Sequence, residues 1–219
     1  RAFGRLRGVD RPALATTIPT AGCGAVLLDS GANVECRAQH LLQFAVMGGV
    51  YARITLGVEQ PRVGLLSIGE EESKGNELTR EAHRLLKAAP LNFIGNVEGR
   101  EIYSGIADGI VCDGFTGNVA LKTAEGALKA LMTALLTAMA GRPEALAAAE
   151  VLTPELDSLY REFHPDTYGG AMLLGVRGVC IISHGSTGAT AMENAIVTGA
   201  EMVRSDVVGH LAEAVAAGS

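Results

Sequence analysis

Six short apolar runs recur along the chain: ALATTI (13–18), AVLLD (25–29), RVGLLSI (62–68), LNFIGN (91–96), GIVCD (109–113) and VCIIS (179–183). Longer helical patterns separate most of them. Runs that stay apolar at nearly every position belong to strands covered on both faces, and strands separated by helices build a parallel sheet. The expected fold is therefore α/β, a layered and mostly parallel sheet with helices on both faces. A chain of 219 residues that is 48% hydrophobic can bury a sizeable core. No internal repeat is visible, and residues 1–219 are read as a single domain. The Ala-rich stretch GRPEALAAAE (141–150) reads as a connection between two helices.

The segments after the strands carry more information than the strands. SGAN follows AVLLD, GEEESKGN follows GLLSI, GFTGN follows GIVCD, and HGSTG follows VCIIS. In an open parallel sheet the carboxyl ends of the strands line one crevice, so these four loops are expected to converge. Small residues let backbone N–H groups approach a ligand there, and each following helix points its positive end at the same place. The residues singled out as ligand-binding are Gly69, Ser73, Gly75, Asn76, Asp113, Thr116, Gly117, His184, Gly185 and Ser186, with Lys74 and Asn118 beside them. Asn76, Asn118 and Ser186 read equally as N-caps of the helices they open. Asp29 and Asp113 end strands at the crevice and are read as ligand-positioning groups slightly ahead of plain loop caps. Among the five histidines, His184 alone sits in a glycine-flanked loop directly after a strand, whereas His40 and His83 fall in helical patterns.

Charge decides which ligand such loops can serve. The net charge of −6 argues against nucleic acid as the main partner, and no Lys/Arg run suggests a polybasic membrane patch, so an anion site has to be local. The three glutamates of GEEESKGN would by themselves repel an anion. They are read as a solvated loop face, with Glu70 or Glu72 pairing Lys74 and orienting its ammonium. The loop lacks the spacing of a Walker motif and resembles no metal motif, and no metal or cofactor is expected. Cys23, Cys36, Cys112 and Cys180 form no CxxC pair, which reads as a reducing cytoplasm without disulfides or zinc. No apolar run is long enough to span a bilayer. The chain starts at Arg1, in what reads as the end of an amphipathic helix, and an upstream segment is expected.

Several stretches together closely resemble one family: RPALATTIPT, LLDSGANVECRAQHLLQFAVMG, RVGLLSIGEEESKGNELTREA, NFIGNVEGREI, VCDGFTGNVALKTAEG and YGGAMLLGVRGVCIISHGSTGA. The family is phosphate acyltransferase, PlsX, of bacterial phospholipid synthesis, and the resemblance covers nearly the whole chain. It implies transfer of a fatty acyl group from acyl carrier protein to inorganic phosphate, giving acyl phosphate. It also implies a homodimer and a fold akin to the phosphotransacetylases and the isocitrate dehydrogenase group. Carried onto this sequence, the family's loop lysine is Lys74 and its GFTGN asparagine is Asn118, both in catalytic roles. His184, Ser186 and Asp113 would shape the phosphate pocket. Two departures stand out: the glycine-containing MGGD-like strand and loop that opens family members is absent, and Thr187 occupies a position where a smaller residue is expected.

Residues 119–163 suggest how a fatty chain is handled. Leu121, Leu128, Leu131 and Leu135 form one stripe, widened by Met132, Leu136 and Met139, and Leu152, Leu156, Leu159 and Phe163 form another. A helical pair this apolar is expected to protrude and pack against its twin in a homodimer. Contact of its tip with the inner face of a membrane is a second expectation, opposed by Glu155, Asp157 and Glu162. Three other readings remain open: an acetyl or butyryl transferase acting on coenzyme A thioesters, a nicotinamide-dependent dehydrogenase, and a non-catalytic acyl-carrier scaffold. The dehydrogenase lacks a GxGxxG after any strand.

Overall fold

In the computed structural model the described residues are 3–20, 22, 24–140, 145, 151–154, 170–183 and 188–217. Strands β1 (Ala13–Ile18) and β2 (Ala25–Leu28) lead to helix α1 (Ala38–Leu56). Then follow β3 (Val63–Ser67), α2 (Glu77–Ala88), β4 (Phe93–Glu98), a 3-10 turn at Gly99–Glu101, β5 (Gly109–Val111) and α3 (Gly114–Ala140). The remainder comprises β6 (Ala171–Leu174), β7 (Ile181–Ile182), α4 (Ala189–Arg204) and α5 (Val207–Ala217).

The seven strands among the described residues form one sheet in the order β4-β3-β5-β2-β1-β6-β7. The β4-β3-β5-β2 half is parallel, as the alternation of strands and helices predicts. The other half is not. β1 pairs antiparallel with β2 and with β6, and β7 pairs antiparallel with β6. For β1 and β2 the cause is connection length. Only residues 19–24 separate β1 from β2, whereas a parallel crossover needs roughly a dozen residues or more.

The continuous apolar strands divide their side chains between two cores. In β2, Val26 and Leu28 join the core beneath α1, while Ala25 and Leu27 face the opposite layer. Leu65 and Leu66 of β3 divide in the same way. The first core is the thicker. Leu41, Phe44, Met47 and Tyr51 of α1 pack into it at helical spacing, with Leu86 of α2 and Leu211 of α5. The second is thin, with Ile18, Val97, Ile102, Ile110 and Cys112 covered in part by Leu121 of α3. α3 is 27 residues long yet buries only Gly114 and Gly117. Helices thus lie on both faces, but unequally.

One ion pair clamps the edge of the sheet where β3 and β5 begin. Arg62 donates to Asp108 through its backbone N–H at 2.7 Å, its Nε at 3.0 Å and its Nη2 at 2.8 Å. Burial opposes the Asp108 charge, but these donors outweigh it and hold the carboxyl below its usual range.

Candidate active site

Because β2, β5 and β3 lie side by side and parallel, their carboxyl ends share one edge: Leu28 and Leu65 both stand opposite Val111. The loops 29–33, 112–118 and 68–76 leave the sheet there. Helices α1, α3 and α2 begin from those loops, so three positive helix ends gather at the same edge.

The 29–33 loop is built around Asp29, which is wholly buried. Its Oδ1 accepts N–H bonds from Leu14 (3.1 Å), Gly31 (3.1 Å) and Ala32 (2.9 Å). Its Oδ2 accepts from the backbone N–H and the side-chain amide of Asn33, each at 2.7 Å. Five donors saturate the carboxylate. Asp29 is therefore the anchor of the loop, which corrects its reading as a ligand-positioning group. Asn33 also donates to the Pro12 carbonyl at 2.8 Å, tying the loop to the start of β1.

The 112–118 loop turns at once into α3. Asp113 caps this helix: its carboxylate accepts the Thr116 N–H and the Thr116 hydroxyl, both at 2.8 Å. Asn118 lies further into the helix and is not its cap. Gly117 has a steric reason to be glycine, since a Cβ there would stand 2.0 Å from the Asp29 carbonyl oxygen. Its own N–H donates to Asp113 O at 3.0 Å. The Gly117 N–H is thereby taken within the helix start, and the absence of a Cβ at Gly117 lets α3 press against the Asp29 loop. This close approach brings Asn118 beside Gly31, its side-chain amide 3.8 Å from where a Cβ of Gly31 would be. Asn118 is exposed at the edge.

The 68–76 loop answers the question of the glutamates. Glu72 pairs with Lys87 and lies 3.6 Å from His83 Nε2, and Glu70 lies 3.8 Å from Arg100. Neither holds Lys74, which corrects that expectation. The Lys74 ammonium enters no ion pair among the described residues, and the side chain is exposed. Its stem crosses Gly69, where a Cβ would come within 2.7 Å of the Lys74 Cγ. Gly75 takes a left-handed φ of 96°, and Asn76 caps α2 by accepting the Thr79 N–H at 2.9 Å. Arg80 reaches back to donate to Gly75 O at 2.8 Å. Ser73 is exposed on the same loop.

The grip on this loop comes from the side. Asn96 of β4 donates to the carbonyls of Gly69 (3.1 Å) and Glu71 (2.9 Å), and its Oδ1 lies 2.9 Å from His83 Nδ1. With both amide hydrogens used, Oδ1 has to accept, so His83 carries its proton on Nδ1. His83 is buried and its ring meets Phe93 edge-on at 5.1 Å. It is a satisfied core histidine, as its helical pattern suggests. The Asn96 to loop contact has no local sequence signal, because 25 or more residues separate the partners.

Cys36 completes the edge. Its Sγ donates to Asn33 O at 3.5 Å. Burial, then the nearby carboxylates of Asp29 and Asp113, push its thiol up to about 11, against the opposing pull of the Gly114 N–H and Arg11. The thiol therefore stays protonated. Cys36, Cys112 and Cys180 are all free.

Three of the four loops expected to converge share this edge among the described residues. β7 runs antiparallel to β6, and Ile182 pairs with Ala171 at the start of that strand, so the carboxyl end of β7 lies at the opposite edge from those of β2, β3 and β5. His184, Gly185, Ser186 and Thr187 lie outside the described residues, as do Leu156, Leu159 and Phe163. A cavity of about 650 Å³ at the other edge, between the far ends of α1 and α2, is lined by none of the loop residues above.

A family model described as "Fatty acid synthesis protein" matches residues 2–210. The chain belongs to the fatty acid synthesis protein family. Among relatives of this family, a phosphate acyltransferase of Acidobacterium capsulatum is 55% identical over 94% of this chain and 61% of its own length. A phosphate acyltransferase of Desulforudis audaxviator is 50% identical over 96% of this chain and 63% of its own. The chain thus spans about three-fifths of the length of the curated relatives it matches. A phosphotransacetylase from Streptococcus pyogenes shares the fold at a TM-score of 0.58 and 17% identity, over 92% of this chain and 57% of that one. The α/β architecture of this family member accordingly has a counterpart in solved structures.

Proposed function

We propose that the chain carries the phosphate and thioester sites of a phosphate acyltransferase that moves a fatty acyl group from acyl carrier protein to inorganic phosphate. The observation that carries the reading is the pairing, at one sheet edge, of an ammonium without an ion pair on Lys74 with the exposed amide of Asn118. Lys74 stands in the loop before α2 and Asn118 in the first turns of α3, both near helix starts, where an anion is favoured.

The chemistry needs little more. A phosphate oxygen attacks the thioester carbonyl, a C–O bond forms and the carbonyl electrons move onto its oxygen. That oxyanion collapses, the C–S bond breaks, and the thiolate leaves on the carrier's prosthetic arm and takes a proton from solvent. Phosphate is already anionic at neutral pH and a thiolate is a competent leaving group, so no strong general base is required. Positioning and charge stabilisation do the work. Lys74 neutralises the phosphate, with Ser73 and Gly75 beside it, and Asn118 donates to the developing oxyanion. Asp113, Thr116 and Asn76 set the helix starts.

The same reading covers the rest of the molecule. The 219 residues form one acyltransferase unit, and of the protrusion expected at 119–163, residues 141–144, 146–150 and 155–163 lie outside the described residues. The protein is cytoplasmic and homodimeric, with packing of α3 against its twin ranked ahead of peripheral contact with the inner face of the membrane. No helix among the described residues is long and apolar enough to cross a membrane.

The test is direct. The protein, incubated with palmitoyl acyl carrier protein and phosphate, should yield acyl phosphate by mass spectrometry, and Lys74→Ala should cut turnover by roughly 10²-fold and weaken phosphate dependence. Near-normal phosphate affinity in Lys74→Ala would remove Lys74 from the site.

A further inference from the structure

A groove of about 320 Å³ runs between α3 and the last residues of β1, on the thin side of the sheet. Ile18, Pro19 and Tyr103 form one wall, and Leu121, Leu128 and Leu131 the other. The volume falls at the small end of the range for small-molecule sites, about 300–1,000 Å³. Glu125 is the one charged residue in the lining, and its carboxylate is held by Lys122 at 2.7 Å. An uncharged apolar ligand suits such a lining, and an anionic headgroup does not.

Two contacts join the groove to the catalytic edge. Thr16 lines the groove, and its hydroxyl is 2.7 Å from that of Ser30 in the 29–33 loop. On the helix side, Asn118, Leu121, Glu125 and Leu128 follow at spacings of three, four and three, which places them in one row along α3. At a rise of 1.5 Å per residue, the groove begins about 5 Å along the helix from Asn118 and extends about 15 Å further to Leu131. A chain lying in it would have one end at the reactive amide and the other at open solvent, where Leu131 is 66% exposed.

We propose that this groove holds the alkyl tail of the acyl donor, laid along α3 with its thioester end at Asn118. The inference rests on the phosphate acyltransferase reading and adds the subsite that measures chain length. A second copy of the chain is the competing occupant. The exposed leucine beyond the groove, Leu136, gives such a copy a separate seat further along α3.

Ala124→Phe and, as an independent variant, Ala127→Phe each drive a ring into the groove. The ratio of kcat/KM for hexadecanoyl over butyryl carrier-protein thioesters should fall about 100-fold, the equivalent of about four methylenes left in water. A fluorescent long-chain fatty acid, titrated without phosphate, should lose its binding in both variants. An unchanged ratio in two folded variants overturns the groove assignment while leaving the phosphate acyltransferase reading intact. Dissociation of a dimer with an unchanged ratio gives the groove to a second copy and also overturns the assignment. If the parent makes no acyl phosphate but binds the fatty acid and both variants lose it, the groove stands and the reaction assignment fails.

Discussion

Replacing Asp29 by Asn changes one oxygen to an NH2 group, and the structure sets the cost. The carboxylate accepts three N–H groups on Oδ1 and two on Oδ2. Whichever way an amide is turned, its NH2 faces donors. The cheaper orientation points NH2 at the two Asn33 donors and loses both bonds. Hydrogen bonds to a charged acceptor contribute about 1.5–3 kcal/mol each, so the direct loss is about 3–6 kcal/mol. Removing a buried charge recovers part of its desolvation cost. The expected net loss is about 3 kcal/mol, a large share of a typical domain stability of about 5–15 kcal/mol. Urea unfolding measures it, as a lower midpoint at an unchanged slope. The loosened loop should also let Gly31 drift from Asn118, so turnover per folded molecule should fall as well. A loss under about 1 kcal/mol would refute the idea that this carboxylate anchors the loop.

Three further outcomes are expected. Asn118→Ala should lower turnover by about 10²-fold with no change in Tm, because Asp113 and not Asn118 caps α3; activity that falls only in step with the folded fraction would contradict this. Cys36, with its thiol pushed up to about 11, should alkylate about 10²-fold more slowly than an ordinary cysteine at pH 7, with a rate climbing until about pH 11; alkylation at the rate of a free thiol at pH 7 would show that burial and the carboxylates of Asp29 and Asp113 do not hold the thiol protonated. Leu135→Glu with Leu136→Glu should give monomers by sedimentation if the outer half of α3 forms the dimer, and an unchanged coefficient at low concentration removes α3 from the interface.

The parallel half of the sheet could be read directly, because AVLLD, RVGLLSI and GIVCD are apolar at nearly every position and each leads through a glycine-rich loop into a helix. The antiparallel half was legible only through the short 19–24 connection, which the apolar pattern alone conceals. Lys74 and Asn118 came from loop chemistry and family resemblance, and the structure brings their loops to one edge. Their supports were harder to see. Asn76 reads as an N-cap and is one, but Asn118 reads the same way and is not, since Asp113 five residues earlier takes that role. Asn96 and His83 meet through a tertiary contact between β4 and α2, and no local pattern encodes such a meeting. Charge counting also misplaced the glutamates, because their cations, Lys87 and Arg100, come from other elements.

The bond network of Asn96 has a mechanical side. β4 is the outermost strand on its side of the sheet, while Asn118 and Asp29 hang from the interior strands β5 and β2. Edge strands open locally at lower free energy than central ones. Peeling β4 away would withdraw both amide hydrogens from the Gly69 and Glu71 carbonyls and slacken the lysine loop, with the Asn118 side still rigid. The two halves of the site therefore come loose at different thresholds, and the half that carries Lys74 is the one that yields first.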